Sequence, residues 1–406
     1  MSERYPGGLI SRSAPVVVGP TDGEGGSASG VWTLEQAGGY IKQGLWPKPV
    51  IQNQMFSWGQ NTYGQLGQND KVFSSSPVQI GAQGDWSKVG NGSYHSLAIK
   101  TTGTLWSWGN NPWGQLGQTS SIYRSSPVQV GALTNWAQVA AGNSHSLAIK
   151  TDGTLWSWGL NSAGQLGQNN VTSRDSPVQV GALTDWAQVS ATTLSSVAIK
   201  TDGTMWSWGN GTYGRLGQNI AYNVNRSSPV QVGALTNWSK VSAGMGFCVA
   251  VKTDGTLWSW GQNNNYQLGH GNNFNRSSPV QIGALTDWSQ IAAGGYHCIA
   301  VKTTGTLWSW GKNNNGQLGQ NNTTTISSPA QAGSLTDWSQ VAAGYNFSRA
   351  IKTTGTLWSW GSNANGQLGQ NNLVSLSSPV QVGALTTWTK LSQGNRCIHT
   401  IALKSS

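Results

Sequence analysis

The sequence predicts an all-β fold, a seven-bladed β-propeller of four-stranded antiparallel blades, and two observations indicate it. The tripeptide Ser-Trp-Gly recurs seven times, at intervals of 50 or 52 residues. Each interval contains four short runs rich in Trp, Val, Ile and Thr, which are typical of β-strands. Repeats of about 50 residues with four strands each predict propeller blades. The tripeptide tryptophans are Trp58, Trp108, Trp158, Trp208, Trp260, Trp310 and Trp360.

One repeat shows the four predicted strands, which we name A to D. SLAIK (96–100) is strand B, TLWSW (104–108) is strand C, SPVQV (126–130) is strand D, and WAQVAAG (136–142) is strand A of the next blade. Thr-Asp-Gly or Thr-Thr-Gly between strands B and C marks a tight hairpin. The terminal copies are not polar caps, which argues against a solenoid.

The two ends of the repeat region predict a closed ring. The region begins with strands C and D, at 54–58 and 77–80, and it ends with strands A and B, at 388–392 and 400–404. Six blades are therefore continuous, and the seventh is a two-plus-two N/C-terminal composite blade. Such closure fastens the ring and leaves no open sheet edge.

Residues 1–50 differ from the repeats and predict an extended N-terminal arm before the propeller of residues 51–406. This arm contains all three glutamates of the chain and many Gly and Pro residues, which are typical of flexible segments. Thr33 and Gln36 fit a capping box for one short helix. Its candidate docking residues are Val31, Trp32, Leu34, Tyr40, Ile41, Leu45 and Trp46.

Composition and charge argue against several classes of protein. The net charge is +10, but it is spread thinly without Lys/Arg runs, so we expect no nucleic-acid partner. No apolar stretch approaches the roughly 20 residues that cross a membrane, and the N-terminus lacks the apolar core of a signal peptide. We therefore expect neither membrane insertion nor a signal peptide.

The cysteines and histidines favour packing over metal binding. Cys248 and Cys298 occupy one position of successive repeats, on the order of 10 Å apart and too far for a disulfide, so we expect buried thiols. Histidine recurs at one strand-B position where Phe also occurs, and four blades cannot converge on one ion. We therefore expect no metal and no cofactor. These histidines are His95, His145, His297 and His399.

Catalytic chemistry is difficult to build from this composition. The propeller contains no Glu, its Asp residues fall mostly in turns, and neither a Ser–His–Asp group nor a phosphate loop stands out. The paired tryptophans of each strand C lie two residues apart, on one sheet face, and are assigned to blade packing. We therefore predict no catalytic residue and no enzyme.

The repeated wording WSWGxNxxGQLGQ…SSPVQV…W…VAAGxxHSLAIKTDGT resembles the regulator of chromosome condensation repeat across about residues 54–404. This resemblance implies a seven-bladed propeller. It implies no single function, since the family includes exchange factors, ubiquitin ligase modules, a plant photoreceptor and bacterial or viral proteins. The photoreceptor's Gly-Trp-Arg-His-Thr motif is absent here. The exchange factors' wedge-like insertion has no counterpart, because the largest insertion is two residues.

Strand direction sorts the loops into two rims. The B–C hairpins and D–A loops form the constant rim, whose sequence barely changes between copies. The A–B and C–D loops form the varied rim, where both length changes fall. The constant rim carries a ring of lysines, Lys100, Lys150, Lys200, Lys252, Lys302, Lys352 and Lys404.

The varied rim carries the candidate ligand-binding residues, because recognition sites tend to be variable loops on a rigid scaffold. Arginine recurs three residues before the loop proline in four consecutive copies, at Arg124, Arg174, Arg226 and Arg276. Nearby aromatic residues are Phe73, Tyr123, Tyr222 and Phe274. Arginine pairs with acidic groups and aromatic rings stack on sugars, so a host-surface glycan or receptor is the expected ligand. Unselected loop drift and a contact through the constant rim are the alternatives.

The sequence SASGVWTLEQ…WP in the arm resembles N-terminal segments of tailed-phage virion and tail-appendage proteins. This resemblance implies a non-enzymatic virion structural protein. It would dock on other virion proteins through residues 1–50 and display the propeller as an adhesin. The alternative is a cytoplasmic protein-interaction hub or small-GTPase exchange factor. An enzyme on this fold, such as a lyase, ranks third.

Overall fold

The computed structural model describes residues 53–82 and 84–405, which form seven four-stranded sheets. Contacts divide the chain into two units, Met1–Ile51 and Gln52–Ser406. The predicted arm, its capping box and its docking candidates lie outside the described residues and stay predictions.

The strands are numbered in chain order. The first fourteen are β1 (Asn53–Gly59), β2 (Ser74–Gln79), β3 (Trp86–Asn91), β4 (His95–Lys100), β5 (Leu105–Gly109), β6 (Arg124–Gln129), β7 (Trp136–Ala141), β8 (His145–Lys150), β9 (Leu155–Gly159), β10 (Arg174–Gln179), β11 (Trp186–Ala191), β12 (Ser195–Lys200), β13 (Met205–Gly209) and β14 (Arg226–Gln231). The others are β15 (Trp238–Ala243), β16 (Phe247–Lys252), β17 (Leu257–Gly261), β18 (Arg276–Gln281), β19 (Trp288–Ala293), β20 (His297–Lys302), β21 (Leu307–Gly311), β22 (Ile326–Gln331), β23 (Trp338–Ala343), β24 (Phe347–Lys352), β25 (Leu357–Gly361), β26 (Leu376–Gln381), β27 (Trp388–Leu391) and β28 (His399–Ser405). A single 3-10 turn in the described part covers Thr212–Gly214.

The predicted seven-bladed propeller and its composite closure are confirmed. Blade 1 has the strand order β2-β1-β28-β27, and the other sheets combine consecutive strands from β3–β6 (blade 2) to β23–β26 (blade 7). All strand pairs are antiparallel, and β1 pairs with β28 along its whole length, from Asn53↔Ser405 to Gly59↔His399. The A strands of neighbouring blades contact one another and line a central channel.

Strand D begins earlier than the sequence pattern predicts. The arginines that we placed in C–D loops are the first residues of β6, β10, β14 and β18. In blade 2, Arg124 pairs with Gly109 and Val128 with Ser107, so the ladder is irregular between these pairs. Pro127 lies in this irregular stretch, where its missing N–H removes no regular ladder bond. The proline therefore marks a bulge inside strand D instead of its start.

The tryptophans pack blade against blade, as predicted. Within blade 2, Trp86 of strand A lies 5.9 Å from the ring of Trp106 and 6.5 Å from that of Trp108, and this group packs against the neighbouring blade. The same cluster includes Met55 and Leu403 of blade 1. The second tryptophan of each strand C is fully buried and the first is half-buried, so the core is a ring of inter-blade clusters.

Each buried strand-C tryptophan also makes a hydrogen bond to the preceding blade. Its indole Nε1–H donates to the backbone carbonyl that precedes the Leu-Gly of the Gly-Gln-Leu-Gly motif. The bonds are Trp58–Gln367 (3.0 Å), Trp108–Gln65 (2.8 Å), Trp158–Gln115 (2.8 Å), Trp208–Gln165 (2.9 Å), Trp260–Arg215 (3.0 Å), Trp310–Gln267 (3.0 Å) and Trp360–Gln317 (2.9 Å). The motif glycine allows this contact: a Cβ at Gly67 would lie 2.8 Å from Trp108 Nε1.

A buried histidine completes this junction at four interfaces. His145 Nε2 lies 3.1 Å from Ser196 Oγ of the next blade, and that hydroxyl donates to Gln165 O at 2.8 Å. A hydroxyl has one proton, so the imidazole donates through its Nε2–H. Burial lowers the pKa of His145 to about 4, which keeps this imidazole neutral at neutral pH. The equivalent pairs are His95–Ser146, His297–Ser348 and His399–Ser96.

The residues at the two positions of this contact change together. Where strand B begins with His, the next blade offers Ser. Where it does not, the next blade offers Cys or Thr. These combinations are Ser195 with Cys248, Phe247 with Cys298, and Phe347 with Thr400. Cys248 and Cys298 therefore occupy the position that is Ser wherever the preceding blade begins its strand B with His. All three cysteines are free and buried, as predicted.

We predict that Trp158→Phe lowers the free energy of unfolding by about 2 kcal/mol, since it removes buried volume and one of two donors to Gln115 O. Trp156→Phe is the matched control, because this half-buried indole donates to Thr154 Oγ1 within its own blade (2.9 Å). It should cost less than about 1 kcal/mol. Urea unfolding followed by circular dichroism measures both, and equal losses would contradict the inter-blade role.

We also predict an acid-sensitive fold. Burial lowers the pKa of His145 to about 4, and burial also lowers the pKa of His95, His297 and His399 to about 3, from 6.5. Unfolded histidines take up protons near pH 6.5 and folded ones only near pH 3–4. The stability they contribute is therefore complete above pH 6.5 and is lost as the pH falls to 3–4, by at most about 1.4 kcal/mol per pH unit for each histidine.

The double variant His145→Phe/Ser196→Cys copies the pair at Phe247 and Cys298. Between pH 6 and 4.5, this variant should reduce the slope of the unfolding free energy against pH by the contribution of one buried histidine. His270→Gln is the comparison, because this half-buried residue replaces the Gln found in the other six blades. Burial also lowers the pKa of His270, but less than that of His145, so this variant should reduce the slope by a smaller amount. A double variant with the unchanged wild-type slope would rule out the buried histidine as the titrating group.

Candidate functional site

The lysines of the constant rim are buried, not displayed. Six of them are 6–8% exposed, and each ammonium lies against two indoles. Lys150 Nζ, for example, lies 3.7 Å from the ring centroid of Trp156 and 5.0 Å from that of Trp136. Four of the lysines also pair with Asp85, Asp185, Asp287 and Asp337 at 3.2–3.3 Å. This ring therefore stabilises the blades and offers little free charge.

The varied rim, in contrast, holds an excess of positive charge. Among the described residues, the constant rim carries seven lysines and seven aspartates, whereas the varied rim carries eight basic side chains and only Asp70 and Asp175. All four ion pairs of the described ranges lie on the constant rim. The basic residues of the varied rim are Lys71, Arg124, Arg174, Arg215, Arg226, Arg276, Lys312 and Arg396.

A repeated asparagine holds the C–D loops in shape. Asn61 Oδ1 accepts the N–H of Leu66 at 2.9 Å, and its Nδ2 donates to Val72 O at 3.0 Å. Each loop also donates a backbone N–H to strand D of the next blade, as Asn69 N does to Ser125 O at 2.8 Å. The loop tips therefore project from a hydrogen-bonded belt, and their side chains vary without disturbing it.

The four predicted arginines are half-buried along the blades. They share their position with Ile326 and Leu376, which pack on the core. Arg124 Nε donates to Gln118 Oε1 at 3.3 Å, and Arg226 Nε to Gln218 Oε1 at 3.4 Å. Packed stems and part-exposed guanidinium groups are compatible with anion recognition, which stays a prediction for these residues.

The four predicted aromatic residues are exposed: Phe73 by 53%, Tyr123 by 46%, Tyr222 by 50% and Phe274 by 66%. Two of them contact a neighbouring loop. Lys71 Nζ donates to the Tyr123 hydroxyl at 2.7 Å, and the Tyr222 hydroxyl donates to Asn275 O at 3.4 Å. The loops of adjacent blades thus form one surface instead of separate fingers.

The structure adds an inner circle of aromatic residues that the sequence analysis missed. Trp113 is 51% exposed at the start of its C–D loop, and Tyr63 packs edge-on against Tyr94 of the next blade at 5.3 Å. Tyr296 lies 6.1 Å from Tyr345, and Lys312 Nζ lies 5.5 Å from the ring of Tyr296. The sequence contains a signal for this circle, because the position of Tyr63 and Trp113 holds Ala or Asn in four other copies.

Arg215 is a buried cation in this inner circle and replaces the motif glutamine of blade 4. It is 8% exposed, its guanidinium carbon lies 5.8 Å from the ring of Tyr213, and its Nε donates to Thr212 O at 2.9 Å. Burial lowers its pKa. Arg215 therefore adds a buried positive charge to the varied rim.

The last A–B loop, which carries a two-residue insertion, closes the channel at the varied rim. Asn395 is 5% exposed, and its Nδ2 donates across the channel to Ala191 O (2.6 Å) and Ala243 O (2.7 Å). Behind the loop, the fully buried Arg349 donates to Ser392 O at 3.2 Å. The insertion that the sequence shows is thus a plug.

In the part of the chain that the structure describes, no group of three or more His, Cys, Asp or Glu side chains is arranged to hold a metal ion. The recurring histidines instead belong to separate blade interfaces. No helix within the described ranges has the length and apolar character needed to span a bilayer.

Comparison with known proteins agrees with this geometry. A family model described as an RCC1-like domain matches residues 50–289, and the model of the regulator of chromosome condensation (RCC1) repeat matches 304–351 and 354–403. No curated protein matches the chain at a significant level. The virion interpretation of the arm finds no support in these matches and stays a prediction.

Solved structures share the fold at low sequence identity. Yeast RCC1 (Prp20) bound to Kap60 is 20% identical, with a TM-score of 0.79 over 88% of this chain and 90% of that one. Human WBSCR16 is 22% identical, with a TM-score of 0.78 over 87% and 99%. Prp20p from Saccharomyces cerevisiae, studied for its binding to Gsp1p and histones, is 21% identical, with a TM-score of 0.77 over 87% and 92%. The family model alone covers more than half of the residues, and the chain therefore belongs to the RCC1-like domain family.

Proposed function

We propose that the chain is a non-enzymatic protein-interaction propeller that binds an acidic segment of a partner protein on its varied rim. The observation that carries this proposal is the separation of charge: eight basic side chains against two aspartates on the varied rim, and balanced charge on the constant rim. Charge complementarity of this kind sets partner choice and association rate more than affinity.

The aromatic residues of the varied rim supply the apolar part of the interface. Trp113, Tyr123 and Phe274 are 46–66% exposed and are held on loops that bond to the next blade. Tyrosine, tryptophan and arginine are the residues that most often dominate binding energy at protein interfaces. Prp20p, a solved relative by fold, binds proteins, which supports a protein partner here.

The predicted glycan ligand is the less favoured occupant, because the aromatic residues line a broad surface and the described varied rim offers few carboxylates to bond sugar hydroxyls. An exchange-factor role receives no specific support, since the C–D loops differ by two residues at most. Location in a virion or in the cytoplasm follows from which partner is captured.

The test is capture of partners by the full-length chain, followed by quantitative mass spectrometry and cross-linking. We predict that a triple variant, Arg124→Ser/Arg226→Ser/Lys312→Ser, weakens binding about tenfold, from about 0.5 kcal/mol for each partly exposed charge. Each serine occurs at the equivalent position of another blade, at Ser74 or Ser362, so the fold should be retained. Binding should also weaken as salt is raised.

Asp152→Thr is the matched control on the constant rim, because Thr102 occupies the same turn position in blade 2. It should leave partner binding unchanged. If the control loses binding and the triple variant keeps it, the partner binds the constant rim and the proposal is wrong. Capture of a nucleotide-free GTPase, or of capsid and tail proteins only while residues 1–50 are present, would instead support the exchange-factor or the virion role.

A further inference from the structure

The central channel is a blind pocket. Asn395 bridges its walls at the varied rim, and the neighbouring Gln393 follows the wall as well, through a parallel bridge to Gly90 and a bond from its Nε2 to Val341 O (2.9 Å). The cavity behind this plug measures about 210 Å³. Access therefore comes from the constant rim, where a groove of about 580 Å³ between blades 4 and 5 shares Gln188, Lys240 and Gln290 with the cavity.

One position of strand A places a long polar side chain in every blade. It is the third residue of the strand, and it is glutamine in four blades and lysine in three. The glutamines are Gln138, Gln188, Gln290 and Gln340, and the lysines are Lys88, Lys240 and Lys390.

Glutamine and lysine make the same structural contact at this position. Gln138 Nε2 donates to Ala187 O of the next blade at 2.7 Å, and Gln340 Nε2 to Thr389 O at 2.7 Å. Lys390 Nζ donates to the equivalent carbonyl of Ser87 at 2.8 Å, and Lys240 Nζ bonds the equivalent carbonyl in the next blade. Because neutral glutamine makes this inter-blade bond as well as lysine does, the positive charge of the three lysines is not required for the fold.

Burial also makes the positive charge of Lys240 and Lys390 energetically unfavourable. Burial lowers the pKa of Lys240, and burial together with the neighbouring Lys88 lowers that of Lys390. None of the nine aspartates in the described ranges lies among the cavity-lining residues to offset it. Of the three lysines, Lys240 lines the cavity, whereas Lys88 and Lys390 occupy the same strand position outside its lining. A positive charge without an acidic partner in a partly closed cavity favours the binding of an anion.

The cavity also offers hydroxyl donors. Ser190 Oγ accepts the N–H of Ala243 at 3.1 Å, and Ser242 Oγ accepts the N–H of Ala293 at 3.0 Å. These bonds use the hydroxyl oxygens as acceptors and leave the hydroxyl protons to donate elsewhere. Ammonium and hydroxyl donors around one cavity match a carboxylate or phosphate group.

We propose that the blind channel binds a compact oxyanion of the carboxylate or phosphate class, which enters from the constant rim and is held by Lys240. Lys88 and Lys390 add positive charge from the same strand position of blades 2 and 1. A volume of about 210 Å³ accommodates a small polyvalent anion and excludes a peptide segment. This site is separate from the varied rim, so the two proposals stand or fall independently.

The test is isothermal titration of the full chain with citrate and, separately, with inorganic phosphate, at fixed ionic strength. We expect saturable binding of at least one anion with a dissociation constant in the millimolar range or below. Lys240→Gln should weaken it about tenfold, the effect of losing one charged hydrogen bond, and Lys390→Gln, outside the cavity lining, should weaken it less. Because glutamine serves this position in four blades, neither variant should lower the thermal midpoint of the unliganded chain.

Lys312→Gln is the matched control, since it removes a varied-rim lysine outside the cavity. It should leave citrate and phosphate binding unchanged. Equal weakening by Lys312→Gln and Lys240→Gln would mean diffuse electrostatic attraction and would overturn the proposal. A titration in which neither anion binds the wild-type chain in the millimolar range would overturn it as well.

Discussion

The whole ring depends on one junction, in which a backbone carbonyl of one blade accepts bonds from the next. In blade 2 the carbonyl of Gln115 receives the indole N–H of Trp158 and the hydroxyl of Ser146, and His95 completes the contact. The same junction recurs at every interface, including the one that joins the two ends of the chain. Each blade therefore serves as donor on one side and acceptor on the other, which explains why the repeats are nearly identical. A change on one side of the junction is matched on the other, as with His or Phe before Ser, Cys or Thr.

This constraint decides where function resides. Residues at the junction, such as the Gly-Gln-Leu-Gly motif and the buried Trp, have little freedom to vary. The loop tips and the third position of strand A lie outside it, and there the copies differ in charge. Proposed partner binding and proposed anion binding both use side chains that an uncharged residue replaces in another blade: serine for arginine on the varied rim, and glutamine for lysine in the channel. The scaffold thus tolerates either choice, and on both proposals the charged residues serve to bind the ligand.

Burial divides the charges between the two rims. The constant-rim lysines lie between two indoles, and four of them also pair with aspartate, so the ring of lysine visible in the sequence is structural. In the described ranges, no varied-rim basic group forms an ion pair with aspartate, and Lys71, Arg215 and Lys312 each lie near one tyrosine ring. Basic residues that are widely separated along the chain can therefore lie close together in the fold, because residues about fifty apart in sequence occupy neighbouring blades. The even sequence distribution hides an excess of positive charge on one face, because the circular repeat brings equivalent positions together.

The sequence by itself determined the seven blades, their four strands, the composite closure, the blade-packing tryptophans and the buried free cysteines. These follow from local signals, namely strand periodicity, turn glycines and a constant repeat length. Only the tertiary structure decided that strand D begins at the arginines, because a proline bulge shifts its register. It also decided that Asn395 of blade 1 plugs the channel by bonding to blades 4 and 5, three blades away around the ring. It also revealed the inner aromatic circle of the varied rim. Such features depend on contacts between blades, and the spacing of residues along one chain carries no direct record of which side chains meet across an interface.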